Sequence, residues 1–259
     1  MSTISSIQIH MFPCLEDNYG YLVHDPDSGV TATVDTPEVE PIHRALQEKG
    51  WQLTHIFNTH HHFDHAGGNL QLKDKTGCTI VGPRADAERI PGIDVGVGDG
   101  DNYRFGNHDV TVFDTPGHTS GHIVYHFADS AVVFVGDTLF SLGCGRLFEG
   151  TPEQMWHSLQ KLLRLPDNTA VYCAHEYTQA NANFALTVDP SNPDLRARAT
   201  EIAELRAANK STIPTSIGLE RATNPFMRPD SSSLRATLGM QDASDVAVFA
   251  EVRTRKDRF

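Results

Sequence analysis

No stretch of the chain stays apolar for the roughly 18 residues that a helical membrane span requires, so no partner membrane is expected. Cysteine is scarce, with four residues at positions 14, 78, 144 and 173 and no C-x-x-C pair. That usage fits reduced thiols in a reducing compartment better than a disulfide framework or a thiolate zinc site. Basic residues are outnumbered 21 to 33, for a net charge of −12. Such a surface repels phosphate backbones, which argues against a nucleic-acid partner and means that an anionic ligand must find a local cluster of cations. Repeats of 20–50 residues and low-complexity tracts are missing as well, which sets solenoids aside. The opening MSTISSIQIHMF has no basic region followed by an apolar block, so a cytoplasmic protein without a secretion signal is expected.

Histidine, by contrast, is concentrated. An even spread of the 14 histidines would put about 0.3 in any six-residue window, yet 60–65 holds His60, His61, His62 and His65 around Asp64. Metal ligation is the expected cause. On an extended segment, side chains at i and i+2 share a side, so His60, His62 and Asp64 can converge while His65 turns off at the loop and His61 points away. Gly67-Gly68 then permits a sharp backbone bend.

The surrounding pattern alternates strands with helices. Ile7, Ile9 and Met11 alternate with polar residues, as do Val30, Ala32 and Val34. Thr36-Pro37 reads as the cap and first turn of a helix apolar at Val39, Ile42, Ala45 and Leu46 and closed by Gly50, before a strand over 53–59. Further β-like runs follow at 79–82, 110–114, 123–127, 131–135 and 169–173. Thr151-Pro152-Glu153-Gln154 reads as a capping box for a helix apolar at Met155, Trp156, Leu159, Leu162 and Leu163. After Cys173 helical periodicity takes over, from Asn192-Pro193 with Leu195, Ala199, Ile202 and Leu205 on one stripe, to a last helix over about 244–256 with Val246, Phe249 and Ala250 apolar. The expected organisation is a layered α/β domain over 1–173 and a small helical domain over 174–259.

Three later strand ends add candidate ligands: His118 in TPGHTSGH, Asp137 in FVGDTLF and His175 in CAHEYT. Loops after rigid strands hold side chains in place while leaving them open to a ligand. Seven imidazole and carboxylate ligands would suit two divalent first-row ions sharing a carboxylate. Zinc is expected first, and iron or manganese would accept the same ligands.

THHHFDH, PGHTSGH, GDTLF and AHEY, in this order, resemble the metallo-β-lactamase superfamily, whose fold is a four-layer αββα sandwich. Within it, GCGRLFEG at 143–150, HEYT at 175–178, NPFMR at 224–228 and the terminal RKDRF resemble the bacterial branch of the glyoxalase II (hydroxyacylglutathione hydrolase) family, which carries a small C-terminal helical domain. The resemblance implies that His60, His62 and His118 bind one metal, that Asp64, His65 and His175 bind the other, and that Asp137 bridges them. It implies hydrolysis of S-2-hydroxyacylglutathione, such as S-D-lactoylglutathione, by a metal-bridged hydroxide, with Asp64 and Asp137 in the catalytic set. It also places Arg146, Phe148, Tyr177, Arg253 and Lys256 at the glutathione end of the pocket. Animal members carry lysine and tyrosine where this chain has Arg146 and Phe148, so one hydroxyl contact to the peptide is missing. The partner implied is the small-molecule thioester, and the chain is expected to work as a monomer. A nucleophilic Cys144 is disfavoured because no histidine neighbours it in sequence. Rival readings are a persulfide dioxygenase of the same fold, a nuclease, and a non-catalytic domain stapled by metal.

Overall fold

The computed structural model describes residues 5–259, which form two compact units. The first comprises residues 5–114 and 120–136, the second 115–119 and 137–259.

The first unit begins with β1 (Gln8–Cys14), β2 (Asn18–His24) and β3 (Thr31–Val34), a meander of antiparallel strands. Helix α1 (Val39–Lys49) then crosses over to β4 (His55–Phe57), and α2 (Phe63–Ala66) with α3 (Asn69–Thr76) to β5 (Thr79–Pro83). Helical crossovers return the chain in the same direction, so β3, β4, β5 and β6 (Val95–Val97) pair in parallel. A second, antiparallel run follows: β7 (Asn102–Phe105), β8 (His108–Asp114), β9 (Ile123–Phe127) and β10 (Val132–Gly136).

Successive side chains on a strand face opposite ways, and the first sheet uses both faces. Leu22, Ile56 and Ile80 pack with Ile42, Ala45 and Leu46 of α1 and Leu72 of α3. Their neighbours turn to the second set of strands: Tyr21 meets Phe134 at 5.5 Å, and Phe57 meets Phe105 at 5.2 Å and Tyr125 at 4.9 Å. The buried Tyr125 hydroxyl donates to the Asn58 carbonyl at 2.8 Å, tying the end of β4 to β9. Truncating Phe57 to alanine would remove the centre of this aromatic layer, at a cost of about 3–5 kcal/mol.

The second unit contains the hairpin β11 (Leu139–Phe140) and β12 (Gly143–Cys144), helix α4 (Pro152–Leu162) and β13 (Ala170–Cys173). Then come α5 (Thr178–Val188), α6 (Pro193–Ala207), β14 (Thr215–Ser216), α7 (Ile217–Thr223), α8 (Ser232–Leu238) and α9 (Asp245–Asp257). The capping box of α4 is present in full: the Thr151 hydroxyl accepts from the Gln154 amide at 3.2 Å and the Gln154 side chain accepts from the Thr151 amide at 2.9 Å. Leu142, Ala182, Ala185, Leu195 and Ile202 form one core, and Phe226 lies between Phe184 and Phe249 in another.

Several local expectations need correcting. Thr36 does not cap α1, whose N-cap is Glu38; its buried hydroxyl is turned to Asn69 Oδ1 at 2.8 Å. The buried stripe of α9 is Val248, Phe249, Val252 and Arg253, because Val246 and Ala250 sit at its margin. Gly67 and Gly68 adopt ordinary helical angles. Space demands glycine there, since a Cβ on Gly67 would stand 2.5 Å from the Phe63 carbonyl.

Candidate metal centre

Strand β4 ends at Phe57, the chain bends at Thr59, and a helical turn begins at Phe63, directly after the extended His62. Asp64 and His65 lie in the short helix α2, so the expected i, i+2 convergence stops at His62 and the helical turn delivers the other two. The result is two pairs. His60 Nε2 lies 3.1 Å from His62 Nδ1, and His65 Nε2 lies 3.4 Å from Asp64 Oδ2. His60 and His65 are buried and His62 is half-buried, while Asp64 keeps partial access to solvent.

Hydrogen bonds fix the two buried imidazoles from behind. His65 Nδ1 meets Asp35 Oδ2 at 2.8 Å, and the same carboxylate accepts from the amide and hydroxyl of Thr59 at 2.8 Å each. With its proton on Nδ1, His65 offers the Nε2 lone pair toward Asp64, the form a metal ligand needs. His60 Nδ1 donates to the Thr59 hydroxyl at 3.1 Å, and its ring stacks on the buried His122 with centroids 4.8 Å apart. Asn18 donates to Asp64 Oδ2 at 3.2 Å. His61 turns elsewhere, to Asp86 at 3.1 Å, which also pairs with Arg89.

The second unit gathers His118, Asp137 and His175. Gly136, with φ of 48°, turns the chain at the end of β10 so that Asp137 follows at once. Asp137 Oδ2 lies 3.3 Å from His118 Nε2, and its Oδ1 lies 3.5 Å from His175 Nε2. All three residues are buried. His118 Nδ1 donates to the Arg146 carbonyl at 2.9 Å, which again leaves Nε2 as the lone-pair donor. One carboxylate thus presents a separate oxygen to each of two imidazoles.

Aromatic rings flank these histidines. Exposed Phe148 is 5.2 Å from the His118 ring, and Tyr177 stacks on His175 at 4.7 Å with an interplanar angle of 3°. Lys256 Nζ lies over the rings of Phe184 and Phe259 and donates to the Ala180 carbonyl at 3.3 Å. Burial, then the charges of Arg253 and Arg146, hold its ammonium below the usual lysine range. Arg146 is exposed. Arg253 is buried, with its guanidinium on Asp257 at 2.8 Å and on the Cys144 carbonyl at 2.9 Å, over the Phe226 ring. Burial pushes the Cys144 thiol up to about 11, despite Arg253 beside it, which removes that cysteine as a nucleophile at neutral pH.

Asp35, Asn18 and His122 escaped sequence reasoning. Asp35 left one signal, a carboxylate directly after a fully buried strand. Phe63, between two candidate ligands and 84% exposed, left none.

Two family models divide the chain. Residues 27–175 match the metallo-beta-lactamase superfamily, and residues 176–259 match the hydroxyacylglutathione hydrolase C-terminus. A hydroxyacylglutathione hydrolase of Maricaulis maris is 56% identical over 256 residues, covering 99% of this chain and all of that one. Another from Brucella ovis is 57% identical over 253 residues, covering 98% of each. The chain belongs to the hydroxyacylglutathione hydrolase family. Among solved structures, ETHE1 from Myxococcus xanthus superposes with a TM-score of 0.69 at 28% identity, over 95% of this chain and 90% of that one. For this hydroxyacylglutathione hydrolase family member the fold is therefore an α/β sandwich with a small C-terminal helical domain. Family membership and the His/Asp clusters together suit a dinuclear metal site.

Proposed function

We propose that His60, His62 and His118 hold one divalent ion, that Asp64, His65 and His175 hold a second, and that Asp137 bridges the two. The observation that carries this reading is the carboxylate of Asp137, one oxygen toward His118 and the other toward His175. The paired His60–His62 and Asp64–His65 supply matching halves of the same two sets. The donors are imidazole nitrogens and carboxylate oxygens without thiolate, which suits zinc, iron or manganese; we propose zinc.

Family membership makes the chain a thioester hydrolase that converts S-2-hydroxyacylglutathione, S-D-lactoylglutathione among them, to glutathione and a 2-hydroxy acid, the second step of methylglyoxal detoxification. When bound, two such ions bring the pKa of a coordinated water from about 15.7 to near 7 and stabilise negative charge on an acyl oxygen. Asp64 and Asp137 balance part of the positive charge. Asp35 and the Arg146 carbonyl keep His65 and His118 in the tautomer that leaves Nε2 available. Water adds its oxygen to the acyl carbon and the C–S bond breaks with its electron pair on sulfur; the departing thiolate takes up one of the water's protons and the new carboxyl group releases the other to solvent. A thiol near pKa ~8.5 is a good leaving group, so no dedicated acid is required of the protein.

At the other end of the substrate, Arg253 and Lys256, with Arg146, meet the carboxylates of glutathione, while Phe148 and Tyr177 line the approach to the histidines. We assign the metal site to the domain over 1–173, completed by His175, and glutathione binding mainly to the domain over 174–259. Four buried free thiols support a cytoplasmic setting, and the net charge of −12 argues against nucleic acid. Among the described residues no helix is long and apolar enough to cross a membrane. We propose a monomer.

The test is hydrolysis of S-D-lactoylglutathione by the purified protein, with and without a chelator. Hydrolysis that chelation abolishes is the expected result. An intact thioester, together with oxygen consumption on glutathione persulfide, would replace this reading by a dioxygenase.

A further inference from the structure

We infer that Asn181, Glu220 and Asn224, together with Arg253, form a polar clamp on the β11–β12 hairpin, and that the first three are positioning residues acting through Arg146 on the glutathione end of the substrate. This rests on the functional reading above.

The hairpin joins Asp137 to Arg146, and its tip is unfavourable by itself because Leu142 has φ of 58°, in the left-handed region. Each residue from 140 to 144 has a backbone group bound by a side chain from the helical segment that follows. The Leu142 amide donates to Glu220 Oε2 at 2.8 Å. The Phe140 and Gly143 carbonyls accept from Asn224 Nδ2 at 3.2 and 3.0 Å, and the Ser141 carbonyl accepts from Asn181 Nδ2 at 3.1 Å. The Cys144 carbonyl accepts from Arg253 Nη1 at 2.9 Å. All four side chains are buried, Glu220 and Asn224 completely.

A buried carboxylate is costly unless several donors meet it. Burial raises the Glu220 carboxyl above its ordinary range, against the hydrogen bonds from Thr215, Leu142 and Asn224. Donors at 2.6 Å from Thr215 and 2.9 Å from Asn224 complete its shell. Buried backbone groups need partners, which an apolar wrapping of the hairpin could not supply. What the polar version adds is direction. Two residues past the end of β12, the Arg146 carbonyl takes the Nδ1 proton of His118, and the charge of the Arg146 side chain acts on Lys256. Fixing the hairpin therefore fixes where that charge stands.

Glu220→Gln keeps the shape but turns an amide NH2 toward a donor. We expect amide exchange over 139–146 to rise at least tenfold while α4 keeps its protection, and KM for S-D-lactoylglutathione to rise about five- to twentyfold with kcat within about threefold. A short thioester lacking the tripeptide should show no KM change. In an Arg146→Ala background the KM effect of Glu220→Gln should vanish, since it acts through that side chain. Asn181→Ala, which removes one contact, should move both readouts the same way and serves if Glu220→Gln does not fold. Unchanged exchange over 139–146 in the folded variants would overturn the clamp. Raised exchange with unchanged KM, or a KM effect that persists without Arg146, would overturn its positioning role. If the wild-type chain leaves the thioester intact, the hydrolase reading fails, and glutathione affinity, read by calorimetry, decides the clamp: an unchanged Kd in the variants refutes it.

Discussion

Asp35→Asn exchanges one carboxylate oxygen for an amide nitrogen and should weaken the binding of the second metal ion about 10- to 100-fold, or about 1.4–2.8 kcal/mol. In the native protein two oxygens serve three donors, His65 Nδ1 and the amide and hydroxyl of Thr59, each at 2.8 Å. Asparagine keeps one oxygen, so its NH2 must confront either the Thr59 amide or the Nδ1 proton of His65. The ring could escape by moving its proton to Nε2, but that is the atom turned toward Asp64. The backbone does not confuse the comparison. Asp35 has φ of 59°, a left-handed angle that asparagine tolerates as well as aspartate. Competition with a chromophoric chelator measures both metal affinities, and a thermal melt of chelated protein separates the loss of fold stability, about 1–3 kcal/mol. Equal affinities for both ions in variant and wild type would refute the claim that Asp35 sets the tautomer of His65.

Lys256→Ala should raise KM for the glutathione thioester with little loss of stability, whereas Arg253→Ala should lower the melting temperature as well, because it strips a donor from the Cys144 carbonyl and a partner from Asp257; steady-state kinetics beside melts would show equal stability losses if this distinction is wrong. Native Cys144 should resist iodoacetamide at neutral pH, and Cys144→Ser should retain turnover within a few-fold; rapid alkylation with inactivation would overturn the burial argument. Asp25 is buried, yet hydrogen bonds from Ser28, Asn107 and Asp27 outweigh burial and leave its carboxyl lowered to about 2. A lowered folded value stabilises above the ordinary aspartate range and is lost as pH falls toward 2, so wild type should lose stability between pH ~4 and 2 more steeply than Asp25→Asn; matching acid denaturation curves would contradict it.

Much of the candidate site was legible because metal ligation needs particular residue types at strand ends, and THHHFDH, PGHTSGH and GDTLF announce them. Capping was legible for the same reason at Thr151, where residue type and spacing alone define the motif. The geometry beyond His62 was not. Period-2 reasoning cannot see that Phe63–Ala66 closes into a helical turn, nor that Gly67 is needed for space and not for bending. Asp35 and Glu220 were hidden because their roles come from partners 24 to 78 residues away in sequence. Arg253 was visible as a cation three residues from Lys256, but its burial depends on contacts to Cys144 and Phe226 that periodicity does not encode. The strand β2, with its mixed NYGYLVH, gave no alternation to read, and its place follows from pairing with β1 and β3.

Metal content per chain, measured on wild type and Asp137→Ala alongside hydrolysis of S-D-lactoylglutathione, tests the central claim most directly. The account predicts close to two ions in the wild type, fewer in the variant, and loss of most of its turnover, since one carboxylate faces both His118 and His175. A wild-type chain holding a single ion, or full turnover after Asp137→Ala, would contradict it.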